Sequence, residues 1–435
     1  MKYDKIDTEM FVENRRRFAK KMKQDSLAVL NSNDVMPTNA DGIMGFRQNN
    51  DLFYLSGIDQ EESILLISPQ AQDSNLREVL FITETNEHIR IWEGDKLTKE
   101  QAREISGIKN VQWLQEFESI LHLMAFHADT IYLGHNEHIK TSTKEIQTRE
   151  DRFIDWCKAR FPLHEYGRVA RITRDLRIVK SEEEINQIKK ACEITGMGFE
   201  RALGMIQPGV HEFEIEAELT YTFLKNRSRG HAFLPIIGSG GNACALHYVK
   251  NEDHCEDGQM ILMDFGAEYA NYYADITRCV PVNGTYSPRQ RAVYEAVLRC
   301  LREGVKMLRP GVRLDDYEKN MASLVEKELI GLGLLDAEEV ANQDPDAPLY
   351  KKYFMHGTAH HIGLDVHDVG NRMIPVREGM VLTCEPGIYI REENIGVRLE
   401  NDYLVTADGP VSLTDHIPIE PDEIEDIMAK NAIPV

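Results

Sequence analysis

Asp264, Asp275, His360, Glu385 and Glu400 are the residues of this chain best suited to chemistry, and each lies at or near a strand-like apolar run. Four carboxylates and one imidazole suit two divalent cations. Oxygen donors favour hard ions such as Mn, Mg or Ca, and a single imidazole tilts the choice toward Mn, Co, Fe or Zn. Further imidazoles crowd the same part of the chain: His356, His360, His361 and His367 lie in one short segment. His356 and His360 are four apart and share a side in either an extended or a helical chain. His361 reads as structural or peripheral beside the better-placed His360. His247 ends the apolar run after Gly238-Ser239-Gly240-Gly241. By itself, a histidine there is ordinarily a satisfied structural residue.

Strands must position the acids. Met260-Ile261-Leu262-Met263 reads as a buried strand that ends at Asp264. A hairpin turning at Tyr269-Ala270 would set Asp275 directly opposite Asp264, with Cβ atoms roughly 5 Å apart. Two carboxylates so close repel unless a cation lies between them. Glu385 ends the run Met380 to Cys384 and is stopped by Pro386-Gly387. Val397, Leu399 and Asn401 alternate with Arg398, Glu400 and Asp402, so Arg398 and Glu400 share a face. By the same alternation, Cys384 points away from the site.

The two acid pairs look like copies. Gly258 and Gly379 each precede an acid by the same spacing, and Met205-Ile-Gln-Pro-Gly-Val210 parallels Met307-Leu-Arg-Pro-Gly-Val312. This reads as an internal helix-helix-strand-strand repeat within residues 175–410, each half giving two carboxylates to a pseudo-twofold axis.

The chain has 435 residues, enough for two or three domains, and a net charge of −22. That balance argues against nucleic acid, which needs a basic surface to displace counterions. Seven cysteines with no Cys-x-x-Cys pair suggest reduced thiols. The start, Met-Lys-Tyr-Asp-Lys-Ile-Asp, lacks the apolar stretch of a signal peptide, and no run spans a membrane. The expectation is a cytoplasmic protein.

Residues 1–173 read as an α/β domain. Arg15 to Gln24 has a helical pattern, and Leu27–Leu30, Leu52–Leu55, Ser63–Ile67, Val79–Ile82 and Ile131–Leu133 are short apolar runs of strand length. Residues 174–435 read as α+β, with helices over a curved antiparallel sheet. Ser181-x-x-Glu184 is a capping box, Ser287-Pro288 starts a further helix, and Asp336 to Ala347 reads as a polar surface loop.

These residues carry a family resemblance. Met-Asp264-Phe-Gly, Ala-Asp275-Ile-Thr-Arg, Met-His356-Gly-Thr-Ala-His360-His-Ile-Gly-Leu-Asp-Val-His367-Asp, Cys-Glu385-Pro-Gly-Ile-Tyr389 and Gly-Val-Arg398-Leu-Glu400-Asn resemble the M24 metallopeptidases of pita-bread fold. Within them the resemblance is to the Xaa-Pro aminopeptidase (aminopeptidase P) branch. It covers nearly the whole chain, since Phe46-Arg-Gln-Asn-Asn-Asp51-Leu-Phe-Tyr54-Leu-Ser-Gly57 resembles that branch's creatinase-type N-terminal domain.

The resemblance implies a metallo-exopeptidase. It would release the first residue of Xaa-Pro-Yaa peptides with a hydroxide bridging two divalent ions, usually Mn(II). It implies that Asp275 and Glu400 bridge the metals, that Asp264 completes one, and that His360 and Glu385 complete the other. Glu385 would also take the water's proton. His247 and His367 would contact the scissile carbonyl, His356 would line the proline subsite, and Arg398 would hold the carboxylates on the Asp264 side. Trp92 matches a residue that reaches a neighbouring active site in tetrameric relatives; its alternative is a half-buried packing residue. A homo-oligomer, dimer or tetramer, is implied.

A prolidase restricted to Xaa-Pro dipeptides is the nearest rival, disfavoured by the short connection from Glu385 to Glu400 and by the N-terminal signature. Methionine aminopeptidases need no large N-terminal domain. Metal-free peptide-binding relatives and creatinase-like amidinohydrolases lack the full ligand set that this chain has.

Overall fold

Short polar side chains start most helices of the N-terminal part. In a computed structural model, which describes residues 3–138 and 146–431, Asp7 accepts the Glu9 N–H and opens α1 (Thr8–Ala19). Next come β1 (Ser26–Asn31), α2 (Asn50–Ser56), β2 (Ile64–Ile67), β3 (Glu78–Ile82), α3 (Glu87–Trp92) and α4 (Lys99–Ser106). They are followed by β4 (Asn110–Trp113), α5 (Phe117–Phe126), β5 (Thr130–Leu133), α6 (Arg149–Arg160), β6 (Glu165–Arg168) and α7 (Val169–Arg177). The strands form one mixed sheet, in the order β4-β3-β2-β1-β5-β6. Leu27, Val29, Leu66, Phe81 and Ile131 pack against Leu121, Met124 and Cys157 of α5 and α6 in its core.

Two local expectations fail here. Leu52–Leu55 lies in helix α2. A four-residue apolar run carries no period of its own, and its flanks decide: the Asn49 side chain accepts the N–H groups of Asp51 and Leu52, and Gly57 ends the helix at φ 68°. The helix expected from Arg15 to Gln24 instead runs from Thr8 to Ala19, because Asp7 caps it early.

The chain divides between Arg177 and Ile178 into two compact units. The second contains α8 (Glu182–Leu203), α9 (Glu212–Lys225), β7 (Ile236–Ser239), β8 (Met260–Phe265), β9 (Glu268–Tyr269), β10 (Tyr272–Tyr273) and β11 (Ile276–Pro281). It continues with α10 (Pro288–Met307), α11 (Leu314–Gly331), α12 (Ala337–Ala341), β12 (Val381–Cys384), β13 (Gly387–Ile390), β14 (Ile395–Arg398), β15 (Asn401–Thr406), β16 (Gly409–Ser412) and α13 (Pro421–Asn431). Ser181 with Glu184, and Ser287 with Gln290, form reciprocal capping boxes on α8 and α10. The segment after Asp336 is not wholly loop: the Asp336 carboxylate accepts two N–H groups and starts α12. Among the described residues, no helix is long and apolar enough to cross a membrane.

This unit carries one backbone design twice. Gly209 and Gly311 follow their prolines at φ 95° and 93°, conformations open to glycine. The Gly209 N–H donates to Cys255 O (2.8 Å) and the Cys255 N–H to Val210 O (2.8 Å). In the second half the Gly311 N–H donates to Val376 O (2.8 Å) and the Val376 N–H to Val312 O (2.7 Å). Three residues beyond each of these lies a glycine at φ 80°, Gly258 and Gly379. Each then leads a strand toward its acid.

The first hairpin differs from expectation by one residue at its turn. Ala270 and Asn271 both take positive φ (53° and 65°), as a two-residue hairpin loop requires, and Glu268 Oε1 accepts the Asn271 N–H (2.6 Å). Moving the turn by one residue moves the pairing by two. Asp264 therefore faces Thr277, not Asp275. Asp275 still lies on the same face, because strand side chains alternate with period two.

The second hairpin keeps one register through an interruption. Cys384 pairs with Asn401 and Gly387 with Arg398, so Glu385 falls opposite Glu400. Thr277 and Glu400 then join the two hairpins, the Glu400 N–H donating to Thr277 O (3.1 Å). Asp264, Thr277, Glu400 and Glu385 thus form one row across four strands.

Candidate metal centre

His360 reaches this row from a segment that runs beside β12. Its N–H donates to Thr383 Oγ1 (3.1 Å) and its carbonyl accepts from Thr383 N (2.9 Å), while the Glu385 N–H donates to Thr358 O (2.9 Å). The ring Nδ1 lies 3.0 Å from the carbonyl of His361. A carbonyl only accepts, so Nδ1 carries the proton and Nε2 offers a lone pair. Nε2 lies 3.5 Å from Asp275 Oδ2, 3.7 Å from Glu385 Oε1 and 3.9 Å from Glu400 Oε1. Asp275, His360 and Glu400 can direct one donor atom each to a common point.

Each of three acids has one oxygen held by the protein or near His360, and one without a donor. Asp264 Oδ2 receives Arg398 Nη2 (2.5 Å) and Glu400 Oε2 receives Thr277 Oγ1 (2.8 Å). Asp264 Oδ1, Asp275 Oδ1 and Glu400 Oε1 are buried with no hydrogen-bond donor. Buried carboxyl oxygens rarely remain without a partner unless an ion or water completes them. Burial, then Glu400 and Asp264, push the Asp275 carboxyl well above the usual carboxylate range. Burial, then Glu385 and Asp264, do the same to Glu400. Hard, converging oxygens with one imidazole lone pair fit divalent cations of the Mn or Zn type.

Residues behind the acids hold this arrangement, and sequence reading missed several. The Thr277 hydroxyl also accepts Arg398 Nε (3.1 Å). Asp402 Oδ2 accepts the Asp275 N–H (3.0 Å), with burial pushing its carboxyl up to about 7. Arg278, fully buried, donates to the carbonyls of Glu400 (2.7 Å) and Pro418 (2.7 Å) and so fixes the backbone of a site acid. Thr277 and Arg278 sit in the Ala-Asp275-Ile-Thr-Arg motif; apart from the Thr277 carbonyl that Arg278 also reaches, the partners of their side chains come from more than a hundred residues away.

The other histidines take distinct places. His356 is tied at both nitrogens, Nδ1 to Gly357 O (2.7 Å) and Nε2 to Tyr389 Oη (2.7 Å). Burial, then Arg398, hold its pKa down at about 3. It is therefore neutral, with its proton on Nδ1. Tyr389 donates to Nε2 and itself accepts from Arg398 Nη1 (2.9 Å). A fixed chain thus runs from the Asp264 partner Arg398 to His356. The exposed ring of His367 lies 4.4 Å from that of His360. His247 is exposed and near enough to His356 to depress its pKa.

His361 is buried, its backbone paired with Leu382 and its pKa held at about 3 by burial and then Lys180. It lies outside the acid cluster, as expected. Cys384 is buried and contacts Tyr317 Oη (3.1 Å), away from the acids. Trp92 is 75% exposed on α3, so it is not a half-buried packing residue.

Comparison with known proteins follows the same division of the chain. Residues 186–407 match Metallopeptidase family M24, and residues 11–132 match the aminopeptidase P N-terminal domain. The Xaa-Pro aminopeptidase of Escherichia coli is 31% identical, with 97% of this chain and 98% of that one covered. Among solved structures, the aminopeptidase PepP of Pseudomonas aeruginosa is 30% identical with a TM-score of 0.89, covering 98% of this chain and 99% of that one. A zinc-substituted E. coli aminopeptidase P in complex with product is 30% identical with a TM-score of 0.88, covering 99% and 100%.

Proposed function

The chain belongs to metallopeptidase family M24, and from that premise we propose that it releases the N-terminal residue of Xaa-Pro-Yaa peptides with two divalent metal ions. It is a metal-dependent aminopeptidase of pita-bread fold with an N-terminal domain of the aminopeptidase P type. The proline specificity rests on relatives named Xaa-Pro aminopeptidase that match along nearly their whole length. The observation that carries the metal reading is the set of donorless buried oxygens on Asp264, Asp275 and Glu400, together with the His360 lone pair that faces Asp275, Glu385 and Glu400.

We assign the residues that would hold the metals: Asp275 and Glu400 would serve both, Asp264 would complete one, and His360 with Glu385 would complete the other. Mn(II) is our choice, because oxygen donors dominate the set. The metals, when bound, would supply Lewis acidity and a nucleophilic water near neutral pH. The protein does the rest. A Glu385 oxygen accepts the proton of the attacking water and returns it to the leaving proline nitrogen. Exposed His247 and His367 donate to the carbonyl oxygen as negative charge develops there. His356 cannot act as a base, since its low pKa and both nitrogens are committed; it forms a rigid wall of the proline subsite with Tyr389. Arg398 balances part of the cluster's charge and fixes Asp264. An acidic pocket binds a free terminal ammonium and disfavours an acetylated one.

We assign the two compact units, which divide between Arg177 and Ile178, to the two domains expected at 1–173 and 174–435, place the protein in the cytoplasm as a homo-oligomer, and expect neither nucleic acid nor membrane as a partner. The cysteines are all free and buried, which agrees with a reducing compartment. The test is a matched substrate set on Mn-loaded enzyme: Xaa-Pro-Yaa, its N-acetyl form, Xaa-Ala-Yaa and Xaa-Pro. Only the first should turn over well. Equal rates on the acetylated peptide reject an exopeptidase, equal rates on the alanine peptide reject proline specificity, and turnover of the dipeptide alone makes it a prolidase.

A further inference from the structure

Glu212 opens α9 and is fully buried, yet its side-chain bonds run to none of the acids of the metal centre. All its acceptor capacity is spent on one loop. Oε1 accepts from Ser239 N (2.7 Å), Ser239 Oγ (2.8 Å) and Asn242 Nδ2 (3.3 Å). Oε2 accepts from Tyr248 Oη (2.8 Å) and Asp253 N (3.0 Å). The segment from Ser239 to Asp253 is therefore gathered around a single carboxylate. Tyr248 closes it a second time, its oxygen accepting the Glu252 N–H (3.4 Å).

His247 sits inside this gathered segment, one residue before Tyr248. It is exposed, so its place depends on the backbone that carries it. That backbone is irregular: a short 3₁₀ turn from Gly240 to Cys244 follows β7, and no strand or helix contains residues 245–253. A sheet ladder does not hold the segment. Side chains do: the Glu212 carboxylate, through charge-assisted bonds, which are roughly twice as strong as neutral ones, and near the far end Asn251, whose amide accepts the Ile237 N–H (3.0 Å) and donates to Glu216 Oε2 (2.8 Å) and Pro235 O (3.0 Å). A backbone turn, Tyr248 N–H to Ala245 O (3.3 Å), spans His247, and the nearest side-chain hold on it is the bond from its neighbour Tyr248 to Glu212.

We propose that Glu212, acting through Tyr248, is a positioning residue that aims His247 at the substrate carbonyl. The inference rests on the carbonyl-contacting role given to His247 above. Without the Tyr248 bond the loop stays folded through Ser239, Asn242 and Asp253, while His247 gains freedom. Misplacement of a catalytic group by about 1 Å costs up to about 100-fold in rate.

Tyr248→Phe tests this with one atom removed and leaves Glu212 four donors. Wild type, His247→Ala, Tyr248→Phe and the double variant are loaded with Mn(II) and assayed on Xaa-Pro-Yaa, with metal content and Tm measured for each. Tyr248→Phe should lower kcat by about 10- to 100-fold, with full metal content and a nearly unchanged KM. In the His247→Ala background it should cause no further loss, because nothing remains to be aimed. Glu212→Gln, which turns one acceptor into a donor facing N–H or O–H groups, should follow the same pattern more severely if it folds. An unchanged kcat in Tyr248→Phe overturns the proposal. So does an equal loss in both backgrounds, or loss of metal, since the bond would then serve the fold or the metal centre. If His247→Ala itself keeps full kcat, the role given to His247 falls, and this inference with it.

Discussion

Thr277→Val should weaken metal binding far more than its position among non-ligands suggests. The substitution keeps the shape and deletes one hydroxyl that is fully buried. Two bonds go with it: the donation to Glu400 Oε2 (2.8 Å) and the acceptance from Arg398 Nε (3.1 Å). The Arg398 bond is lost whether or not metal is present, and leaves a buried guanidinium N–H unmet at a cost of about 1–3 kcal/mol. The Glu400 bond differs between the states. In the metal-free protein, burial and the neighbouring acids push Glu400 toward its neutral form, and a bond to a neutral group contributes about 0.5–1.5 kcal/mol. With metal bound the carboxylate is ionised, and the same bond contributes about 1.5–3 kcal/mol. The difference, about 1–2 kcal/mol, is the part that metal binding feels. It corresponds to about a 5- to 30-fold weaker Kd, at 1.36 kcal/mol per tenfold, overlapping the lower part of the roughly 10- to 100-fold range found for residues that orient metal ligands. The assay is competition for Mn(II) against a chelator, with urea unfolding of the metal-free and loaded forms. Equal destabilisation of both forms with Kd within twofold of wild type would refute the reasoning.

Two further outcomes are expected. Asp275 and Glu400 are both pushed up, so between the unfolded carboxylate pKa near 4 and their folded values the native state binds more protons than the unfolded one. Stability of the metal-free protein should therefore fall as pH rises through that window, and metal, which displaces those protons, should flatten the slope; Tm against pH with and without Mn(II) reads this, and parallel curves would contradict it. Lys180 and Asp368 form an ion pair with both side chains 1% exposed (Nζ to Oδ2, 2.9 Å), so Lys180→Met should cost about 3–5 kcal/mol by removing the cation that balances a buried carboxylate, and Lys180→Met with Asp368→Asn should cost less. Chemical denaturation measures both, and a loss under 1 kcal/mol in the single variant would show that the pair is solvated in solution.

Local chemistry wrote much of this protein into its sequence. The Pro-Gly turns at 208–209 and 310–311 and the glycines 258 and 379 fix backbone angles by themselves, so the internal repeat was legible before any contact was known. Ser181 and Ser287 start helices by bonds confined to one turn, which is why those starts were legible too. Residue type and placement at strand ends singled out the five acid and imidazole residues, and the family resemblance supplied the ligand role proposed for each. Where local signals were weak, reading failed: Leu52–Leu55 has no period, and a turn at Ala270-Asn271 lacks the glycine that usually marks it. Tertiary structure decided the rest. Only the hairpin register puts Thr277 beside Asp264, and only the meeting of two hairpins puts Thr277 against Glu400. Arg398 reaches Asp264 across 134 residues of chain, and Glu212 gathers donors from a loop 27 to 41 residues away. A carboxylate's sequence neighbours tell which strand or helix carries it, whereas its charge is balanced by whatever the fold brings within hydrogen-bond reach, and that is set by long-range packing.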